Sequence, residues 1–261
     1  MRREVDAPII DFYGESITVP ANSGAPIIVP TRNGFNEVLL YDKQASPVGF
    51  KLSLAPSIRG YFYDVSATSY VQIPGTVFDG HVTGSTGTIL DSWVLTNDHL
   101  YIGSRRPFGG IYIDILAGSP NATTSTLTAK YSKNDGTFAS QAITDGSASG
   151  GATLAQDGAV KLDAVPSDWA PYQLGTILES DNRDIPSDYL FWLQYTVGAT
   201  LDADTEISNI YPLAADYASS TGGYFVGAVE YYIDLDGNVG ALQLISQDGG
   251  TETTTATWIK R

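Results

Sequence analysis

The side chains best suited to proton transfer or metal ligation in this chain are two histidines and twenty-nine carboxylates; there is no cysteine. His81 sits in the Gly-rich stretch "VFDGHVTGSTGT" and His99 in "LTNDHLYIG". Each has an aspartate nearby, as a chain this acidic makes common, and two separated histidines are a poor ligand set for a metal. No G-x-S-x-G elbow, phosphate-binding Gly-rich loop or H-E-x-x-H pair is present. Without cysteine, a disulfide framework, a thiolate zinc site and a Cys nucleophile are all excluded. Two carboxylates across a cleft suffice for glycoside hydrolysis, but the aspartates here fall mainly at turns, where their role is to bond the local backbone. "DLDGN" at 234–238 has the start of a calcium loop, yet the twelfth position, where a bidentate Glu is needed, is Ile245. No catalytic residue, cofactor or metal ligand is assigned, and the chain reads as a non-enzyme.

Aromatic side chains are the other candidates. Of four tryptophans, Trp192 lies in "YLFWLQYTV" with apolar residues on both faces and belongs to a core. Trp169, with Tyr172, lies in "VPSDWAPY", a loop between prolines, where the indole either covers the edge of the sandwich or stands exposed, positioned to stack on a glycan. Tyr-rich runs such as "YFYDV" and "EYYIDL" fit half-buried sheets whose outer face makes contacts.

The elements that must position these groups are strands. Period-2 alternation dominates, and no segment shows a long helical repeat. Val38 and Leu40 share a face in "FNEVLLYDK"; Val48, Phe50, Leu52 and Leu54 do so in "VGFKLSLA"; Ile111, Ile113 and Ile115 do so in "GGIYIDILAG"; Leu127, Ala129 and Tyr131 do so in "STLTAKYS". "YFVGAVEYYIDLDGNVGALQLIS" reads as two strands about a turn. Asp-Gly pairs at 79–80, 135–136, 145–146, 157–158, 236–237 and 248–249, with Asn33-Gly34, supply the positive-φ positions of tight turns. The expected fold is all-β: an antiparallel, jelly-roll-like β-sandwich over 88–213, inserted into a second, smaller β domain made of 35–87 together with 214–261, and preceded by an extended N-terminal arm, 1–34.

With 43% hydrophobic residues the chain can bury a substantial core, and its formal charge is −15. Such a surface repels phosphate backbones and anionic membranes, so neither nucleic acid nor membrane is an expected partner. "MRREVDAPIIDFYGES" lacks the apolar stretch of a secretory signal, so synthesis in a cytoplasm is expected.

The segment from about 99 to 213 resembles the jelly-roll-like β-sandwich domains that recur in tailed-phage virion proteins. The resemblance rests on a "YIGS" strand, an "FGGIYIDI" strand, an "LTAKYSKNDGTF" hairpin, a "DGAVKLDAVPSDW" strand and loop, and the closing pair "YLFWLQYTV" and "DTEISNI". It covers under half the chain, is shared in architecture by galactose-binding-like sugar modules, and carries over no ligand motif. It implies a virion structural protein, foremost a capsid decoration (cement) protein on the outer surface of the major capsid shell. The implied partners are the major capsid protein and further copies of this chain, as a homo-oligomer with a trimer favoured. The alternative is a glycan-binding recognition module of a tail fibre, tailspike or baseplate, using Trp169 and Tyr172. For decoration, the anchoring residues are expected in the N-terminal arm: Arg2, Arg3, Ile9, Ile10 and Phe12.

Overall fold

The computed structural model describes residues 11–19, 27–31, 35–42, 49–66, 69–78, 93, 97–174, 189–216, 224–226, 230–235, 239–246 and 252–260. Among them are nineteen β-strands, numbered along the chain, and one turn of 3-10 helix, Gly75–Val77. The chain divides into two compact units. Unit 1 is Met1–Ala55 with Asp216–Arg261, and unit 2 is Pro56–Ala215.

Unit 1 has two four-stranded antiparallel sheets. In the first, β1 (Asp11–Val19), β19 (Glu252–Lys260), β3 (Glu37–Asp42) and β17 (Glu230–Asp234) follow one another in that order. In the second the order is β16 (Tyr224–Val226), β4 (Gly49–Pro56), β18 (Val239–Ser246) and β2 (Ile27–Pro30). Alternation drives both sheets to bury one row. Ile17, Val38, Leu40, Ala256 and Trp258 from the first meet Val29, Leu242 and Leu244 from the second in one cluster.

Three sequence expectations change here. The segment expected as an arm contributes strands: β1 pairs with β19 through nine consecutive residues, from Asp11 opposite Lys260 to Val19 opposite Glu252, and β2 pairs with β18. The "YFVGAVEYYIDLDGNVGALQLIS" segment is no hairpin, because β17 pairs with β3 in one sheet and β18 with β2 in the other. In β4 both rows are partly buried: Leu52 of the apolar row packs against the core of unit 1 but Leu54 is 44% exposed, whereas Lys51 and Ser53 of the other row are buried. Asp216 accounts for the burial of that polar pair. Its carboxylate is 3.2 Å from Lys51 Nζ and accepts the Ser53 hydroxyl at 3.1 Å, while its carbonyl accepts from Lys51 Nζ at 3.2 Å. A buried ammonium held by charge and hydrogen bonds is tolerated where an unpaired one is not.

Unit 2 also builds two antiparallel sheets. The larger runs β10 (Phe138–Gln141), β9 (Leu127–Ser132), β14 (Tyr189–Val197), β7 (His99–Ser104), β5 (Ile58–Asp64) and β6 (Ser69–Gln72), and β13 (Pro171–Gln173) adds to β14 where β9 ends. The smaller runs β11 (Ile143–Asp145), β12 (Gly158–Leu162), β8 (Gly110–Ile115) and β15 (Ile207–Leu213). β5 and β6, expected with the discontinuous domain up to 87, hydrogen-bond into this sheet through β7, so the first segment of unit 1 ends at Ala55. The shared core takes Phe62, Leu100, Ile102, Leu193, Tyr195 and Val197 from the larger sheet and Ile111, Ile113, Val160 and Ile210 from the smaller. The "LTAKYSKNDGTF" hairpin forms as β9 and β10, with Gly136 at φ +82°, a conformation glycine adopts without strain.

β14 is buried on both faces. Its inner row enters the shared core, and Trp192 of the outer row lies against Gly103 of β7, its register partner. A Cβ at residue 103 would come within 2.5 Å of the Trp192 ring. The backbone N–H of Trp192 donates to Ser132 Oγ at 3.1 Å, and its indole N–H donates to the carbonyl of Tyr172 at 2.8 Å. Gly103→Ala is therefore expected to overpack the sheet and destabilise unit 2 by about 1–3 kcal/mol. Thermal unfolding followed by tryptophan fluorescence checks this, and an unchanged midpoint would show that Trp192 moves aside freely.

Candidate functional site

The outer face of the larger sheet of unit 2 gathers most of the polar aromatic chemistry. Strand alternation sends Tyr61 and Tyr63 of β5, Tyr70 of β6, His99 and Tyr101 of β7, Phe138 of β10 and Trp192 of β14 to that face. Tyr63 stacks on Tyr70 at 4.4 Å between ring centroids and faces His99 at 6.3 Å, while His99 meets the edge of Tyr101 at 5.8 Å. Tyr101 approaches Phe138 at 5.7 Å, and Tyr61 meets Trp192 edge-on at 6.1 Å. Gln194 Nε2 donates to the Tyr101 hydroxyl at 2.7 Å.

The cluster holds its groups uncharged. Burial pushes the Tyr70 and Tyr101 phenols far above their ordinary value of 10.0, and at Tyr70 the neighbouring Tyr101 and Tyr63 add to the rise. His99 is pushed below its ordinary 6.5, first by burial and then by the Lys130 charge, with Asp98 opposing. Its Nδ1 is buried and makes no hydrogen bond. Tyr61, Tyr70, Tyr101 and Trp192 are each 3% exposed or less. Neutral phenols and a neutral imidazole pack side by side as an aromatic plate. They offer neither an open receptor nor an activated nucleophile.

On the outer face of the smaller sheet, burial raises the Asp114 carboxyl above its ordinary value and Asp157 adds to the rise, with hydrogen bonds from Tyr211 and Asn209 opposing. Asp157 is fixed by the backbone N–H of Ile115 at 2.7 Å. Among the described residues no three His, Cys, Asp or Glu side chains are grouped to hold a metal ion.

The residues singled out from the sequence fare unequally. Arg2, Arg3, Ile9 and Ile10 lie outside the described residues, as do His81 and the 236–238 part of the calcium-like stretch. Phe12 falls on β1 opposite Ile259. Trp169 is 6% exposed and packs in the core of unit 2 on Phe108 at 5.1 Å and edge-on to Phe191 at 5.8 Å. With its ring faces covered by protein it has none to offer a sugar, which corrects the glycan role expected of it. Tyr172, half-buried on β13, places its hydroxyl against the Gly136 turn, where an added Cβ would come within 2.7 Å of it. Trp169 and Tyr172 thus serve packing, and they do not share one open surface. Sequence reasoning set His99 aside as one of two separated histidines unfit to hold a metal, although alternation in "HLYIGS" aligns it with Tyr101 and Gly103. It also passed over Tyr189, which is 65% exposed at the start of β14.

The chain matches no protein-family profile and no curated protein.

The depressed pKa of His99 fixes the sign of a pH effect. The unfolded chain takes up a proton near 6.5, the folded one only at lower pH, so this contribution to stability is full above 6.5 and declines as pH falls below it. Urea unfolding at about pH 7.5 and about pH 5.5 is expected to show a larger acid-side drop for the natural protein than for His99→Gln. Equal drops would show that His99 is not the group responsible.

Proposed function

We propose that this chain is a virion structural protein of a tailed phage, a capsid decoration (cement) protein that binds the outer surface of the major capsid shell and stabilises it. The observation that carries this reading is β1. It is a nine-residue strand at the end of its sheet, paired among the described residues only with β19. A regular edge strand of this length is a template for strand addition by a neighbouring chain. Tyr13 on the same strand is 46% exposed, and Tyr is a favoured interface residue. Phe12 lies on it, Ile9 and Ile10 immediately precede it and Arg2 and Arg3 lie further upstream in the same stretch of sequence.

The rest of the molecule fits such a role. Unit 2 is read as the jelly-roll-like sandwich of this class of virion protein. The net charge of −15 suits a surface kept apart from packaged DNA, and no helix among the described residues is long and apolar enough to cross a membrane. Binding the assembled shell and not free subunits shifts the equilibrium toward assembly. With many copies per particle, modest contacts sum to a large effect.

Immunogold electron microscopy of the parent particles with antibody to this chain is expected to spread label evenly over the heads. Label confined to the tail tip would overturn the decoration role and favour the recognition module.

A further inference from the structure

The outer face of the smaller sheet of unit 2 gathers oxygen donors that the fold does not fully employ. Alternation along β8 turns Tyr112 and Asp114 to that face, because Ile111 and Ile113 fill the core. β15 brings Tyr211 opposite Tyr112 and Asn209 opposite Asp114. The second pairing depends on a β-bulge. Ile207 stands opposite Ile115, so an unbroken register would put Ser208 opposite Asp114 and send Asn209 to the core side beside Ile113. The register instead shifts between Ile207 and Asn209, and the extra residue moves Asn209 onto the Asp114 side. Ser208 fastens the bulge, its Oγ donating to the Asp114 carbonyl at 3.1 Å. Asp157, exposed and one residue before β12, comes in from the other flank of β8, and its Oδ1 accepts the Ile115 N–H at 2.7 Å. Burial first, then Asp114 and Asp157, raise the Tyr112 phenol, so both carboxylates act on one hydroxyl.

Asn209 is 7% exposed, and its Oδ1 is buried without a hydrogen bond even though its amide reaches the Asp114 carboxylate. A buried amide oxygen that nothing donates to or coordinates costs free energy. The carboxylates also lack a basic counterpart. Asp157 acts on Asp114 as a like charge, and no Lys or Arg is among the groups that act on it. Lys161 of β12 shares the face but stands opposite Gly110, four residues along β8 from Asp114 and so roughly 13 Å away. The loops 116–126, 145–157 and 198–206 contain no Lys or Arg. Carboxylate and amide oxygens without a cationic side chain are the ligands of a hard divalent cation. No third acidic or His ligand is grouped with them among the described residues, so the third protein donor is the amide.

We propose that Asp114, Asp157 and Asn209 form a calcium-binding site on the outer face of the smaller sheet, with Asn209 Oδ1 as the neutral ligand and water completing the shell. Two carboxylates and one amide place the affinity at the weak end of protein calcium sites, with a dissociation constant of roughly 0.1–1 mM. An ion there ties β15, β8 and the start of β12, three neighbouring strands, and stabilises unit 2 by binding the folded state alone. The site does not rest on the role at a capsid, since it concerns the purified chain.

Isothermal titration calorimetry of the full chain with calcium chloride is the test, at about 150 mM sodium chloride so that diffuse attraction to the acidic surface is screened. The natural protein is expected to bind a single calcium ion saturably, and magnesium at least about tenfold more weakly, because the smaller ion demands a regular octahedral shell and sheds water reluctantly. Asp157→Asn keeps an oxygen for the Ile115 N–H and removes the charge, and it is expected to bind calcium at least about tenfold more weakly. Asn209→Asp supplies a third carboxylate and is expected to bind calcium several-fold more tightly, a gain that an amide serving packing alone would not yield. Circular dichroism checks the fold of each variant. Should Asn209→Asp unfold without calcium, recovery of the natural spectrum on adding calcium reads the same gain. No saturable binding, equal affinity for calcium and magnesium, undiminished binding by Asp157→Asn, or no gain with Asn209→Asp would each overturn the proposal.

Discussion

The larger sheet of unit 2 depends on keeping β14 dry on both sides. "YLFWLQYTV" places Leu193, Tyr195 and Val197 in the inter-sheet core and Leu190 and Trp192 in the outer aromatic cluster. A strand apolar on both faces must be central and doubly covered. β7 meets that need on one side by presenting Gly103 where the indole lies. On the other side the end of β9 and the added strand β13 supply Ser132 Oγ and the Tyr172 carbonyl as its polar partners. Ser132 is fully buried, and its hydroxyl also donates to the carbonyl of Ala170 at 2.7 Å, so one side chain ties three segments around a single tryptophan.

Much of this was legible in the residues. Alternation in "GGIYIDILAG" and "STLTAKYS" identified rows that are buried, because those strands have one face in the core and one outside it. Alternation did not foretell the burial of Lys51 and Ser53 in β4, since their common partner Asp216 lies far along the chain and leaves no local trace. The segment around "DLDGN" was read as two strands about a turn, and such a break does not say which sheet the next strand joins: β17 and β18 belong to different sheets. For Trp169 the sequence left two readings open, covering the sandwich edge or standing exposed, because flanking prolines mark a loop without saying which way a large side chain turns, and Phe108 and Phe191, which receive the ring, lie elsewhere in the sequence.

Unit 2 separates its chemistry by place. Its interior and outer aromatic plate hold uncharged phenols, indoles and a neutral imidazole; Gln194 bonds the Tyr101 hydroxyl and the Tyr172 carbonyl accepts the Trp192 indole N–H, whereas the Tyr195 hydroxyl, the Trp169 indole N–H and His99 Nδ1 are buried without a hydrogen bond. The exposed arginines and most of the exposed carboxylates sit at the strand ends. Loops there are pinned by buried Asn121 and by Asp145, whose carboxylate accepts from the Ser147 and Thr153 hydroxyls at 2.6 Å. A body built this way puts its hydrophobic side chains into cohesion and its charged ones at the strand ends.

In unit 1, β19 lies between β1 and β3, so a strand from one extreme of the sequence completes a sheet begun at the other. The Trp258 indole donates to a carboxylate oxygen of Glu15, a contact spanning 243 positions. On the ribosome, β1 and β3 emerge early and wait, without their central strand, while all of unit 2 is made. Unit 2 is contiguous and complete by residue 215, so it can fold first, and by doing so it shortens the effective loop that unit 1 must close. The order of synthesis therefore lets unit 2 fold first and leaves both sheets of unit 1 to assemble only when its last four strands, β16 to β19, arrive.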